Sequence, residues 1–452
     1  MTALTEPVTD VRRWWALIAI AVAQLMLAID TTIMNLALPS AQQALGLSAV
    51  ERQWVINAFA LAFGGLLLLG GRVSDLLGRR RTLLIGLAGF TLASVLGGFA
   101  TNPESLLGAR FLQGVFGALI TPSVLAVLSI SFPQPLDRAR AFGIYGTIMG
   151  SGSGIGVILG GVLTDYLSWR WAMFVNVPIA LIAAAGVAWS VRADRAQAVV
   201  RPGLFGALLG TAGLLAVVYG LTMAGESGWG VGLPPLVIGL ALLGLFVWIQ
   251  HRAVAPLLPL RLLGNRRRVA AYVGMASWAS GVFVTFLLVS FHLQSTLGLS
   301  PVRTGLTFLP FTAAIMIGLR VVRPLSDRFG VRSLFVAGLL SVSASLVLLS
   351  QLDAQGNYLV QVLPIFLLQG LGAAAVLPAA NSTATLGAGP DTGVAGAMAA
   401  TSQQVGAALG IAILGSLASG AGYERAGLVG AVWLVVAAAG VYAISGRPSQ
   451  AK

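Results

Sequence analysis

Charge is what this sequence has least of. Only 9% of its 452 residues are Asp, Glu, Lys or Arg, against 57% that are hydrophobic, and the mean hydropathy is +0.90. An ordinary soluble domain carries about 25% charged residues, so this chain cannot cover a water-facing surface of its own size. That excludes a soluble enzyme, a nucleic-acid-binding domain and a disordered scaffold. Cysteine is absent, which removes a disulfide framework and thiolate chemistry. Histidine is nearly absent: His251 and His292, 41 positions apart, offer no histidine metal cluster. No metal or cofactor is expected. Lysine occurs once, as Lys452, against 26 arginines. With many alanines and glycines, this points to a high-GC bacterial genome.

The formal charge is nonetheless +13, 27 basic residues less 14 acidic ones. Basic chains often bind nucleic acid. Here the arginines sit in short clusters between apolar runs, as they do in the cytoplasmic loops of membrane proteins. Residues 1–13 are polar and end in Arg12-Arg13. The run from Trp14 to about Leu36 is too long for a signal-peptide core of about 7–15 residues. It reads as a first span that stays in the membrane.

A bilayer-spanning helix needs about 20 mainly apolar residues. Fourteen fit: 14–36, 52–71, 82–101, 104–129, 139–163, 171–191, 203–223, 233–250, 269–293, 304–322, 333–350, 358–386, 393–418 and 426–445. The fold class is an all-α integral membrane protein, multi-pass in the cell membrane. With both termini on one side, 22 Arg and Lys residues fall on that side and four on the other: Arg52, Arg170, Arg303 and Arg425. The positive-inside rule then puts both ends in the cytoplasm.

The chain also repeats itself. Ser74-Asp75-Leu76-Leu77-Gly78-Arg79-Arg80 returns as Ser326-Asp327-Arg328-Phe329-Gly330-Val331-Arg332, and Leu112-Gln113-Gly114 with Pro122 returns as Leu368-Gln369-Gly370 with Pro378. The offsets are 252 and 256. The expected organisation is a tail 1–13, a six-helix bundle 14–191, a linker 192–268 with two extra spans, a second six-helix bundle 269–445 and a tail 446–452. Paired six-span repeats describe transporters whose site lies between the halves.

An ionisable residue within a span costs about 2.5–3.5 kcal/mol at the bilayer centre and is a functional candidate by default. Two lie clearly inside: Asp30 and Arg110, each six residues from an outer span boundary. At 1.5 Å per residue both sit ~9 Å deep, so a direct or water-bridged pair is feasible. Such a pair either carries a proton or only fixes helix packing. A carboxylate there is neutral or charged according to water and nearby cations, which suits a one-proton carrier.

The stretch Gly71 to Arg81, with Asp75, Gly78, Arg79 and Arg80, reads as a short connection between spans two and three. Its aspartate is placed to exchange ion pairs with Arg138 or Arg140 of a neighbouring loop. Span five carries Gly146, Gly150, Gly152, Gly154, Gly156, Gly160 and Gly161, whose small-xxx-small spacing lets helices approach closely. No strand precedes these glycines and no Gly-Lys-Ser/Thr follows, so they are no phosphate loop. Asn57, Gln113, Tyr145, Asn381, Gln403 and Gln404 are polar residues within spans, each either a helix-helix hydrogen bond or a substrate contact. Trp278, Phe283, Phe286, Phe291, Phe308 and Phe311 either line an apolar cavity or face lipid.

At these residues the sequence resembles the major facilitator superfamily, in particular its fourteen-span drug:proton antiporter branch. Ala28-Ile29-Asp30-Thr31-Thr32-Ile33-Met34-Asn35-Leu36-Ala37-Leu38-Pro39 is similar to the first-span motif of that branch, and Gly71 to Arg81 to the superfamily's cytoplasmic signature. Arg110-Phe111-Leu112-Gln113-Gly114 resembles the fourth-span motif, whose arginine is linked to proton transfer. Trp169-Arg170-Trp171 with Phe174, Asn176, Val177 and Pro178 resembles the element opening span six. Gln294, Gly298, Ser300, Pro301, Gly305, Leu309 and Pro310 resemble the connection before span ten, and Gln403-Gln404-Val405-Gly406 with Gly410 is similar to span thirteen. Two departures stand out. Val157 follows Gly156 where the fifth-span antiporter motif has proline, and no acid appears in the late spans.

The resemblance implies a monomeric, proton-coupled antiporter exporting small lipophilic or cationic compounds by alternating access, a multidrug or antibiotic-resistance exporter that binds no nucleic acid. Asp30 and Arg110 would couple protons. Gly71, Asp75, Gly78, Arg79 and Arg80 would form a conformational latch, and Gly150, Gly156, Gly160 and Gly161 the antiporter-type helix. The missing late acids favour monocationic or neutral substrates. A proton symporter importing a metabolite and a non-transporting scaffold or receptor are the rival expectations.

Overall fold

In a bilayer every backbone N–H and C=O must be satisfied within the segment that carries it, so apolar runs of this length fold as helices. The computed structural model describes residues 11–132, 134–192, 203–253, 256–353 and 357–444. Residues 1–10 of the expected N-terminal tail, Arg195, Arg201 and the expected tail 446–452 lie outside the described residues. Among the described residues there is no strand. Sequence signals mark the helix starts. Ser48 and Glu51 close a reciprocal capping box on α2 (Ala49–Leu77), at 3.2 and 2.8 Å. Asn102, followed by Pro103, caps α4 (Pro103–Ser131) through Ser105 N at 2.9 Å.

Among the described residues, thirteen helices are long and apolar enough to cross a membrane. The remaining span is α5 (Pro135–Tyr166). Several bounds differ from expectation. α1 (Val11–Leu45) continues through Pro39, nine residues beyond Leu36, so the depth of Asp30 counted from that end does not hold. The expected connection after span two is mostly helix: α2 runs to Leu77, α3 (Arg79–Gly98) begins at Arg79, and Gly78 alone makes the turn at φ 86°. Span six is broken into α6 (Trp171–Phe174) and α7 (Asn176–Ser190). Span ten is broken at Phe308 into α11 (Pro301–Thr307) and α12 (Leu309–Phe329).

Helix packing repeats along the chain. In the first half α1 rests on α5 and α7, α2 on α4, and α3 on α4 and α7. In the second, α10 (Arg266–Phe291) rests on α15 (Thr392–Gly410) and α16 (Ser416–Ile444), α12 on α14 (Tyr358–Thr385), and α13 (Val331–Leu349) on α14 and α16. The correspondence reaches single atoms. A Cβ on Gly114 would stand 2.5 Å from Phe59 O, and one on Gly370 would stand 2.5 Å from Phe311 O. Both α2–α4 and α12–α14 therefore need glycine at the crossing. Gly330, at φ 80°, turns α12 into α13 as Gly78 turns α2 into α3.

The starts of α1, α3 and α5 and the end of α7 share one face. Arg13 pairs with Asp137 at 2.9 Å, Arg80 donates to Ala188 O at 2.6 Å, and Arg12 donates to Trp189 O. On this basic face Arg332 likewise donates to Tyr442 O. The two halves meet toward the opposite, far face. There Ser290 and Gln294 donate to Asn35 O and Leu36 O of α1, both at 3.1 Å.

Between the halves in sequence, α8 (Leu204–Ser227) and α9 (Trp229–Arg252) form a hairpin. Gly213 and Gly220 of α8 lie on the backbone of α9 near Gly239 and Gly232. α8 seats against α2 on one side and α15 and α16 on the other, while only 11% of the apolar window of α9 is buried.

Candidate functional site

Asp30 and Arg110 meet. Their side chains, each 1% exposed, form a salt bridge of 2.6 Å between Oδ2 and Nη1. α1 brings the acid and α4 the arginine, two helices in direct contact where Gly117 of α4 lies against Leu27 of α1. Arg110 also donates through Nε to Val55 O at 3.0 Å, and its guanidinium lies 4.6 Å from the ring centroid of Phe59. One turn on, Gln113 accepts from Arg110 Nη1 at 2.7 Å and donates to Asp30 Oδ1 at 3.1 Å.

Two further residues complete the network. Asn176 of α7 donates to Asp30 Oδ1 at 2.7 Å. Ser94 of α3 accepts from Gln113 at 2.8 Å and donates to Phe90 O at 2.8 Å. Asp30 thus accepts from Arg110, Gln113 and Asn176 and donates to nothing, an arrangement made for an ionised carboxylate. Gln113, Asn176 and Ser94 are fully buried. Four helices contribute one polar group or more to a site walled by Ile29, Ile33, Val55 and Phe59.

Other expected residues are placed elsewhere. Gly152, Gly156 and Gly160 face α1: a Cβ on Gly160 would stand 3.0 Å from Ile33 Cα, and one on Gly156 would strike Thr32 Oγ1. Gly161 turns instead to α11, 2.8 Å from Val302 Cα by the same construction. Gly150 lies on the same helix, α5. Asp75 does not bond Arg138 or Arg140; Arg138 donates to Ser129 O at 2.8 Å, and Arg72 near Gly71 donates to Pro256 O at 2.9 Å. The expected ion pairs of Asp75 are thus not formed in this state. Arg79 and Arg80 start α3, and Arg80 reaches Ala188 O.

Asn57 is fully buried on α2, on the side away from Val55 and Arg110. Tyr145 packs against the first-half core. Gln403 is half-buried on α15, beside Gln404, which covers Gly64. Asn381 is exposed near the end of α14 and donates to Leu377 O at 2.9 Å. Trp278, Phe286, Phe308 and Phe311 belong to the second-half core, with the rings of Phe286 and Phe308 at 4.9 Å. Phe283 and Phe291 pack at the boundary with the first half.

The sequence profile of the Major Facilitator Superfamily matches residues 20–322 and 272–452. The chain belongs to that superfamily. Among its relatives, a puromycin resistance protein of Streptomyces alboniger is 44% identical over 91% of this chain and 83% of that protein. A cephamycin export protein of Amycolatopsis lactamdurans is 38% identical over 93% and 89%. A tetracenomycin C resistance and export protein of Streptomyces glaucescens is 35% identical over 90% and 76%. The crystal structure of a POT family transporter superposes with a TM-score of 0.71 over 97% of this chain and 98% of that one, at 14% identity, which speaks to the fold alone. The chain is therefore a multi-pass membrane transporter of the major facilitator fold, not an enzyme.

Proposed function

We propose that this transporter is a proton-coupled antiporter that exports small lipophilic or cationic compounds, with Asp30 as the proton carrier. The observation that carries the reading is the buried Asp30–Arg110 pair at 2.6 Å, wired to Gln113, Asn176 and Ser94. Its relatives bear the names of puromycin, cephamycin and tetracenomycin C resistance or export, which supports export over import. An ionised Asp30 holds Arg110 and two amides. A proton on Asp30 removes the charge that ties α1 to α4 and α7, and loss of the proton restores it. Arginine stays charged throughout, so it passes between the carboxylate and its other acceptors, Val55 O and Gln113 Oε1.

In this reading both termini are cytoplasmic, on the basic face, and a single chain is the working unit. Residues 14–191 rock against 269–445, with 192–268 between them. The contacts of Ser290 and Gln294 with α1 close the outer side, the latch around Asp75 is released, Gly161 holds α5 on α11 in that closure, and Gly156 and Gly160 seat α5 on α1. One charge falling through 100 mV releases about 2.3 kcal/mol, and about 1.4 kcal/mol is a factor of ten. For a neutral compound one proton per cycle thus supports a gradient of about 50-fold before any pH difference; exchanged for a monocation it moves no net charge, and the cycle runs on the pH gradient alone. The absence of late-span acids favours neutral or monocationic compounds.

The test uses inverted membrane vesicles holding a pH gradient reported by a quenched fluorescent base. Puromycin, lincomycin and tetracenomycin C are added to wild type and to Asp30→Asn. Compound-dependent proton release in wild type, abolished in the variant, is the expected result. Release that survives the substitution moves the proton site away from Asp30.

A further inference from the structure

Two seams join the halves, and the internal repeat relates them. In one, α5 meets α11: a Cβ on Gly305 would stand 2.7 Å from Val157 O, and Gly161 lies against Val302. In the other, α2 meets α15 in an antiparallel register that sets Gly64 beside Gln404 and Gln53 beside Gly415, while Thr401 donates to Gly64 O at 2.8 Å. Adding the repeat offset of 252 to Gln53 and Asn57 gives Gly305 and Leu309. Where one seam is glycine and leucine, the other carries two primary amides on one face of α2, four residues apart.

Both amides are 0% exposed. Among the described residues, none of their four side-chain nitrogen and oxygen atoms has a hydrogen-bond partner. Buried amides left this way are costly and rare, and each calls for an explanation. Opposite them, α15 gives way to a π-helical turn, Ile411–Gly415, a geometry often found at functional sites. Among the described residues, the hydroxyls of Ser416, next to Gly415, and of Thr211, further along the seam, have no hydrogen-bond partner either. Thr211 faces Gly65 and Ser416 faces Gly225, so α8 roofs the seam. Nearby charge is occupied at the far end of α2: Glu51 is in the capping box, and Arg52 lies 4.4 Å from the ring centroid of Phe291.

We propose that Gln53 and Asn57, with the π-helical turn opposite them, form a hydrogen-bonding subsite that takes uncharged amide, hydroxyl or carbonyl groups of the exported solute as the α2–α15 seam opens. The proposal rests on the export reading above. The seam is closed in this structure, so the amides meet a partner only when the halves separate there. Their neutrality fits them to the uncharged polar groups of a solute, leaving charge to be handled elsewhere.

The test compares Gln53→Leu and Asn57→Leu with wild type in reconstituted vesicles, using two probes. Puromycin carries amide and hydroxyl groups; tetraphenylphosphonium is a lipophilic monocation with no hydrogen-bonding group. The subsite predicts a fall in kcat/KM of about tenfold for puromycin in each variant, with tetraphenylphosphonium changed less than about twofold. Thermal unfolding checks that the leucine variants remain folded. Equal losses on both probes, or none on either, overturn the subsite and leave the amides as gate or packing groups.

If wild type moves neither probe, the export reading fails, and labelling decides the subsite by itself. The chain has no cysteine, so Asn57→Cys supplies its single thiol. Reaction with a water-soluble methanethiosulfonate that is slowed by puromycin and not by tetraphenylphosphonium supports the subsite. A thiol that never reacts, or that both probes or neither protect, overturns it.

Discussion

The two halves carry the same joint, one with charge and one without. In the first, Gln113 of α4 donates to Asp30 of α1 at 3.1 Å; in the second, Gln369 of α14 donates to Thr285 of α10 at 2.9 Å. Phe59 and Phe311 occupy matching places against Gly114 and Gly370. The substitution that matters is Arg110, whose counterpart at an offset of 256 is Phe366. Phe366 packs its ring 4.4 Å from that of Phe308, where Arg110 lies over Phe59. A glutamine linking the fourth helix of a half to its first is thus enough for the fold. On that comparison the aspartate–arginine pair is expected to be an addition that packing does not require.

That contrast can be broken experimentally. The largest effect expected is on coupling: Asp30→Asn lowers compound-driven proton release by about 100-fold or more, the scale of losing a proton-transferring group, whereas Thr285→Ala changes it by less than about twofold. The pH-gradient assay reads both, and a comparable loss in Thr285→Ala would show that the neutral joint also drives exchange. Next comes stability. Arg110→Leu strands a buried carboxylate and is expected to cost about 3–5 kcal/mol in chemical unfolding. Replacing both members with the second half's residues, Asp30→Thr with Arg110→Phe, is expected to restore stability to within about 2 kcal/mol while coupling stays lost. A double variant that fails to fold would make the pair structural.

The remaining predictions sharpen the likeness. Gly114→Val and Gly370→Val each force α2 from α4 or α12 from α14, at about 1–3 kcal/mol apiece. Matching losses of thermal stability are expected, and a markedly unequal pair would undo the equivalence. The smallest effect belongs to Ser94→Ala, which removes one neutral partner of Gln113 for about 0.5–1.5 kcal/mol and leaves coupling in place.

How far the sequence spoke follows from the residues themselves. Asp30 and Arg110 were legible because each is an ionisable group in an apolar run, where cost alone singles it out. Their contact was feasible on a matched depth that does not hold, because α1 runs past Leu36 to Leu45; Pro39 and the polar residues beyond it masked that continuation. Gln113 was visible as a polar span residue and within the repeated Leu112-Gln113-Gly114, without its partners. Asn176 was quoted within a motif without a role, and Ser94 was missed, because a serine in a transmembrane helix bonds its own backbone as readily as a neighbour. Ser94 does both. Gly78 and Gly330 announced two turns. The breaks at Val175 and Phe308 are marked by Pro178 and Pro310 in the first turns of α7 and α12, a helix-start signal that the expected span bounds did not use; the π-helical turns at His292–Thr296 and Ile411–Gly415 left no compositional mark, since tertiary packing decides them.

The hairpin of α8 and α9 adds a mechanical point. Its two helices are clenched backbone to backbone at Gly213, Gly220, Gly232 and Gly239, so it travels as one stiff plate. Its attachment is split: α8 has a seat on α2 and another on α15 and α16. In the rocking cycle proposed above, that plate cannot follow both halves, and one seat has to act as a slip plane. That cycle would have three moving parts, and the lubrication of the plane, set by side chains such as Thr211 and Val218, would be a place where turnover is tuned without touching either the proton or the cargo.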